Sequence, residues 1–234
     1  MDYCVLLIAL FLWPFADMIG QSTALDEFID CVELQYGPDD LLINGRPYQP
    51  ANFRAEGHPY FQTEDWQPGT VYLYGEPYAA HKLKYNLARQ QLIIQYDRPN
   101  GTYQRVVVSP LLADSFRIGA RRFVSQRLIL PGQEESGYLE KIYEAELAFY
   151  RYQKKVLSAP SNSKPFGQYR GLKDVFYLSV DGQIHKVAKR RDFLACFPNH
   201  QSRIKKYMKQ HTRRWKKITT PQFIQLLKFC HAQL

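Results

Sequence analysis

The chain lacks the common catalytic signatures, and each absence narrows what it can do. There is no HExxH, no GxxxxGK, no GxGxxG and no GxSxG. Zinc-protease, P-loop, dinucleotide and esterase chemistry therefore lose the residues that support them. Cysteine is scarce: Cys4, Cys31, Cys196 and Cys230 are the whole complement, and none stands in a CxxC pair. With Cys4 in the leader described below, an odd number remains, which argues against a disulfide scaffold and a cysteine-ligated zinc site. Cys196 and Cys230 are the pair that an oxidising compartment would join; buried free thiols are the competing expectation. No apolar run approaches the ~20 residues that a membrane-spanning helix needs. Acidic residues nearly vanish from the last quarter, where Gly182 to Leu234 holds 13 Lys and Arg against Asp192 alone. Leu25 to Asp181 balances 18 Lys and Arg with 19 Asp and Glu, so the basicity belongs to the C-terminal end and suggests an anionic partner for it.

Residues Val5 to Phe15 form an apolar run of signal-peptide length, followed by small or polar residues around Ala16, Gly20 and Ala24. Residues 1–24 are expected to be a signal peptide cut between Gly20 and Ala24, although Asp2 stands where a positive n-region is usual; a buried N-terminal strand is the alternative. No cysteine sits where a lipoprotein needs one. A mature chain of about 210 residues is long enough for one large or two small domains with a real core.

What is abundant is tyrosine, phenylalanine and short alternation. Val71–Tyr74, Lys82–Leu87, Gln91–Tyr96, Tyr103–Val108 and Phe116–Ile118 are runs rich in Tyr, Val, Ile and Leu, most of them separated by Gly, Pro, Asn or Asp. They predict an antiparallel meander, with Leu83, Tyr85 and Leu87 on the core face and Lys82, Lys84 and Asn86 toward water. Leu25 to Tyr36 has the spacing of a short helix stopped by Gly37-Pro38, and Asn44-Gly45 is a hairpin signal. Pro50 to Pro68 reads as an ordered aromatic loop packed under the meander. Tyr138–Glu146 and Leu147–Leu157 predict two more strands, against a competing helix through Glu140 to Tyr152. Ser158–Pro165 is small, polar and twice broken by proline, which marks a boundary.

The expected class is α+β: a β-rich domain over 25–157 formed by a mainly antiparallel, curved sheet, a linker over 158–169, then a region over 170–234. That region begins with a hairpin at Asp181-Gly182 and turns helical. Asp192 to Phe197 predicts a short helix ended by Pro198. Ile204, Met208, His211, Trp215 and Ile218, with Tyr207 beside them, draw one apolar stripe along a helix. Thr220-Pro221 predicts an N-cap with proline at the first helical position. Phe223, Leu226, Leu227, Cys230 and Leu234 are the expected buried face of the last helix.

Three site readings follow. Lys205, Lys206, Lys209, Arg213, Arg214, Lys216 and Lys217 surround the apolar stripe and form a solvated face that can also touch phosphate or carboxylate groups. His58, Asp65 and His81 are the residues from which folding could assemble a hydrolase site, although six histidines scattered over loops and strands are more simply surface or packing residues. Tyr72, Tyr74, Tyr85, Tyr96 and Tyr103 lie in or beside the meander, where they either pack the sheet or line a surface for sugars or an apolar chain. Glu134-Glu135 is expected to be a solvated loop. No metal, cofactor or catalytic residue is assigned.

The residues Gly57-His58-Pro59-Tyr60-Phe61, Trp66, Gly69-Thr70-Val71, Gly75, Tyr78 and Leu83-Lys84-Tyr85-Asn86 give a pattern that resembles uncharacterised exported proteins of Bacteroidetes. Those proteins also end in a hairpin and a lysine-rich helical tail. The resemblance implies export from a Gram-negative cell and carries no activity or site. The sequence thus leads to a non-enzymatic binding or structural protein of the periplasm or cell envelope, whose basic C-terminal helix contacts an anionic polymer or lipid headgroup, or which meets an envelope protein. Nucleic acid is disfavoured by the leader. An envelope hydrolase and a carrier of lipid on the concave face of the sheet are the alternatives.

Overall fold

The computed structural model describes residues 45–50, 54–98, 100–133, 137–211, 215 and 218–233, with only the backbone of 79–81. The expected leader, the helix over 25–36, Asn44 and the Glu134-Glu135 loop lie outside the described residues.

Eleven strands form one sheet: β1 (Arg46–Pro47), β2 (Gln67–Leu73), β3 (Glu76–Asn86), β4 (Gln91–Asp97), β5 (Tyr103–Val107), β6 (Ala113–Ile118), β7 (Arg121–Ser125), β8 (Tyr138–Glu144), β9 (Ala148–Leu157), β10 (Tyr169–Val180) and β11 (Gln183–Lys186). Their order is β1-β5-β4-β3-β2-β6-β7-β8-β9-β10-β11, and every strand pair is antiparallel. Two meanders are therefore joined where β2 pairs with β6. At that joint Gly69 is squeezed between neighbours: a Cβ there would lie 2.1 Å from the Arg117 carbonyl oxygen and 2.5 Å from Leu83 Cδ1. The α+β expectation holds, with α1 (Gln126–Ile129) inserted after β7 and α2 (Arg190–Ala195), α3 (Gln201–His211) and α4 (Thr220–His231) at the C-terminus.

The sheet curls. In a flat sheet β3 and β8, four neighbours apart, would be separated by roughly 19 Å at the usual strand spacing. Instead the Tyr138 backbone N–H donates to the Tyr85 hydroxyl at 3.2 Å. Leu83, Tyr85 and Leu87 do face the core. Their expected counterpart Asn86 is buried as well, a correction to the alternation: its Oδ1 accepts from the N–H groups of Ala88 and Arg89, both at 3.0 Å, and fixes the β3–β4 turn. The inner face of the curl is filled by Phe61, Tyr85, Phe116, Phe123 and Tyr138 among others. Farther along the same face Phe149, Leu178 and Val180 pack against α2, α3 and α4.

The Pro50–Pro68 loop closes the open side of the curl, with backbone hydrogen bonds from Phe61 to Tyr85 and from Leu87 to Pro59, both 2.8 Å. Ser158–Pro165 connects β9 to β10, which pair along most of their length, so one sheet runs past this polar stretch. Asp181 and Gly182 have φ of 50° and 73°, as a two-residue primed turn requires. Beyond β11, which covers only Tyr177–Val180 of β10, the stretch from Arg170 to Val175 is an edge. Gly171 kinks it, with φ 57° and a register shift between Arg170 and Leu172.

Candidate functional site

The C-terminal basic face is built from α2 and α3. Ile204 and Met208 turn into the core while Lys205, Lys206 and Lys209 are exposed, as the spacing predicts. The single long helix does not form. α3 ends at His211, which is exposed and lies beside Tyr207, with ring centroids 4.4 Å apart. Trp215 and Ile218 join the same core from a separate turn. Arg213, Arg214, Lys216 and Lys217 lie outside the described residues. The short helix expected at 192–197 starts two residues earlier, at Arg190, because Asp192 caps it. The Asp192 carboxylate accepts from the N–H of Lys189 at 2.8 Å and of Ala188 at 3.1 Å, and the Lys189 bond holds its pKa below the usual carboxylate range. The last helix is capped by Thr219, not Thr220, in a capping box with Gln222. Both Cys196 and Cys230 are free thiols, their pKa values pushed up by burial to about 11 and about 12.

His58 and Asp65 are not joined. The Asp65 carboxylate is taken by the Thr63 hydroxyl at 2.7 Å. His58 faces a cation instead: Lys155 Nζ lies 3.4 Å from its Nδ1 and donates to the carbonyls of His58 at 2.9 Å and Tyr60 at 2.8 Å. The side chain of His81 lies outside the described residues. The His58 ring thus has an ammonium beside it and, among the described residues, no carboxylate hydrogen-bonded to it. Burial first, and Lys155 second, lower the pKa of His58 below 6.5. Between that folded value and 6.5 the unfolded chain binds more protons, so stability falls as pH is lowered through this window. His58→Gln should lose less stability than the parent between about pH 7 and pH 5 in urea titrations. Equal pH slopes for the two proteins would refute the assignment.

Beside this histidine the rings and cations alternate. Lys84 Nζ lies 4.8 Å from the centroid of Tyr60 and 4.5 Å from that of Trp66; the Arg105 guanidinium lies 5.2 Å from Trp66 and 4.7 Å from Tyr103. The two cations are thus satisfied by ring faces, contacts worth about 0.5–1 kcal/mol each at exposed sites. Tyr48 and Tyr60 share a hydrogen bond of 2.6 Å at the same place. Of the tyrosines singled out in the meander, Tyr85 is core, Tyr72 and Tyr96 are half-buried, and Tyr74 and Tyr103 are exposed. They do not line one cavity.

No protein-family model, curated protein or solved structure matches the chain. The geometry alone therefore weighs the readings. The curl interior is lined by buried rings. A cavity of about 410 Å³ lies where β10 meets the C-terminal helices, lined by Phe149, Phe176, Trp215 and Phe223 with Asp174 and Lys186.

Two features escaped the sequence. Glu140, almost wholly buried on the inner face, accepts from Arg151 Nε at 2.9 Å and Nη2 at 2.5 Å and from Arg121 Nη1 at 2.5 Å. The second is a row of cations on the opposite face, set by strand register. No local pattern marks either one, because their members are brought together by pairing.

Proposed function

We propose that this chain is a non-enzymatic binding protein of the cell envelope, exported by its N-terminal apolar run, which holds an anionic polymer or lipid headgroup on its C-terminal basic helices. The observation that carries the reading is the uncompensated charge of α3. Lys205, Lys206 and Lys209 are solvent-facing and have no ion pair among the described residues. The only carboxylate in the last quarter, Asp192, is spent on the amides that start α2 and on Arg191, 3.4 Å away. The apolar side of α3 is already buried in the core it shares with α2 and α4, so the helix offers charge and not an insertion face.

Binding through such a face weakens steeply with salt, since exposed charges are screened over roughly 8–10 Å near physiological ionic strength. Replacing Lys205, Lys206 and Lys209 together with glutamine should remove salt-sensitive retention on phosphatidylglycerol vesicles and on a carboxylated matrix. The free energy of unfolding should move by less than about 0.5 kcal/mol, because glutamine keeps good helix propensity and the positions face water. Loss on vesicles alone identifies a headgroup, and loss on the matrix alone identifies a polymer. Elution of the triple variant at the parental salt concentration on both supports refutes the reading.

A further inference from the structure

The outer face of the sheet, opposite the two large cores, holds a smaller buried cluster of Leu139, Tyr150 and Tyr152 and beside it a second cationic array that does not depend on the C-terminal helices. Strand register places Thr70, Arg117, Arg122, Lys141, Tyr150, Tyr177 and Lys186 directly opposite one another from β2 through β6 to β11. Cross-strand partners point to the same side. Phe116, Phe123 and Glu140, each one residue away in its strand, point inward, which puts this row on the outside. Three consecutive strands, about 4.8 Å apart, thus present Arg117, Arg122 and Lys141 side by side.

Like charges directly opposite on paired strands oppose folding, and the molecule does little to offset them. Lys141 is paired with Glu144 at 2.5 Å and its side chain is 13% exposed, so it stiffens the row without being open to a ligand. Arg117 and Arg122 are exposed and have no carboxylate in ion-pair range among the described residues; the Arg122 guanidinium lies 5.8 Å from the ring of Tyr72. Lys154 and Lys173, paired across β9 and β10, add cations to the same face.

The shape of the array selects its partner. Because the sheet curls around its inner core, the outer face is convex, and a flat bilayer meets a convex surface only along a line. A chain laid across the strands can follow the row from β6 to β11. Tyr72 and Tyr177 are half-buried in the sheet surface. The Tyr72 ring is met by Arg122 and Tyr177 packs against the outer cluster, so neither is an open platform for the base stacking that single-stranded nucleic acid uses.

We propose that the outer face binds a linear acidic polysaccharide across its strands, with the exposed Arg117 and Arg122 holding successive acidic groups. The inference stands apart from the helical basic face and is tested on different residues. The full chain is titrated with polygalacturonate, with neutral dextran as the uncharged counterpart and with polythymidylate and phosphatidylglycerol vesicles as the other polyanions. At about 50 mM salt the Arg117→Gln/Arg122→Gln variant should bind polygalacturonate about tenfold or more weakly than the parent. Its thermal midpoint should be unchanged or higher, because the opposed like charges are gone. The comparison is repeated in the Lys205→Gln/Lys206→Gln/Lys209→Gln background, which removes the helical face, and the two arginine substitutions should cause the same loss there. Failure of the parent to bind it, or parental affinity in the double arginine variant, overturns the proposal. So does an equal or larger loss of polythymidylate or vesicle binding in that variant, which would make the row a general or differently directed anion surface.

Discussion

Replacing Arg151 with alanine should destabilise the protein by about 3 kcal/mol or more, the range seen when one member of a buried ion pair is removed. The Glu140 side chain is 2% exposed and that of Arg151 15%. Arg151 meets the carboxylate through Nε and Nη2 together, a two-point contact that lysine cannot reproduce. Without Arg151 the buried carboxylate keeps only Arg121, whose side chain is 43% exposed and well solvated. Arg121→Ala should therefore cost less than about 1 kcal/mol, as exposed pairs do. Replacing Glu140 and Arg151 together with leucine removes both charges at once and should recover most of the loss. Urea unfolding of the four proteins measures this directly. An Arg151→Ala cost below about 1 kcal/mol, or a double variant no more stable than the single one, would show that the pair is not the buried unit described.

The second large effect is expected at Phe116. Its side chain is fully buried and its ring lies 4.6 Å from Phe123, 4.9 Å from Tyr138 and 5.2 Å from Tyr85. Those rings come from β6, β7, β8 and β3, so one side chain ties together strands that are far apart in the sheet order. Phe116→Ala removes a ring from a site where the backbone of four strands limits collapse, and should cost about 3–5 kcal/mol. Phe116→Leu, which keeps most of the volume, should cost about half as much or less. Thermal and denaturant unfolding provide the measurement; a cost for alanine under about 1.5 kcal/mol would mean that the curl interior is loosely filled.

Local pattern carried much of this fold. Alternation at Leu83, Tyr85 and Leu87 identified the inner face, Asp181-Gly182 identified a turn, and the spacing of Ile204 and Met208 identified the buried side of α3. These signals are written within a few residues, and local geometry obeys them. Asn86 broke the alternation because a side-chain acceptor for two turn amides outweighs exposure of that position. The stripe through Trp215 continued in sequence but not as one helix, since packing requires only that Trp215 and Ile218 reach the core. The pairing of β2 with β6 was not legible, because β3, β4 and β5 intervene and nothing in either strand names the other. The Glu140–Arg151 pair and the outer cation row follow instead from the register of consecutive strands, which alternation within each strand does not fix. Of the candidate site, the exposed lysines of α3 were readable, while the Lys155 partner of His58 was not, because a histidine's partner is chosen by the fold.

The kink at Gly171 bears on how copies of this protein meet. Among the described residues no strand pairs with one side of the stretch from Arg170 to Val175, and Leu172, Val156, Leu157 and Phe166 in and around it are exposed. A straight edge with that apolar surround would template a strand from a second molecule. The left-handed turn of backbone at Gly171 breaks the regular spacing of its backbone groups, and Arg170 and Lys173 on either side repel their own counterparts. A residue that held Gly171 in extended backbone would straighten this edge and leave it regular enough to accept a strand from another chain.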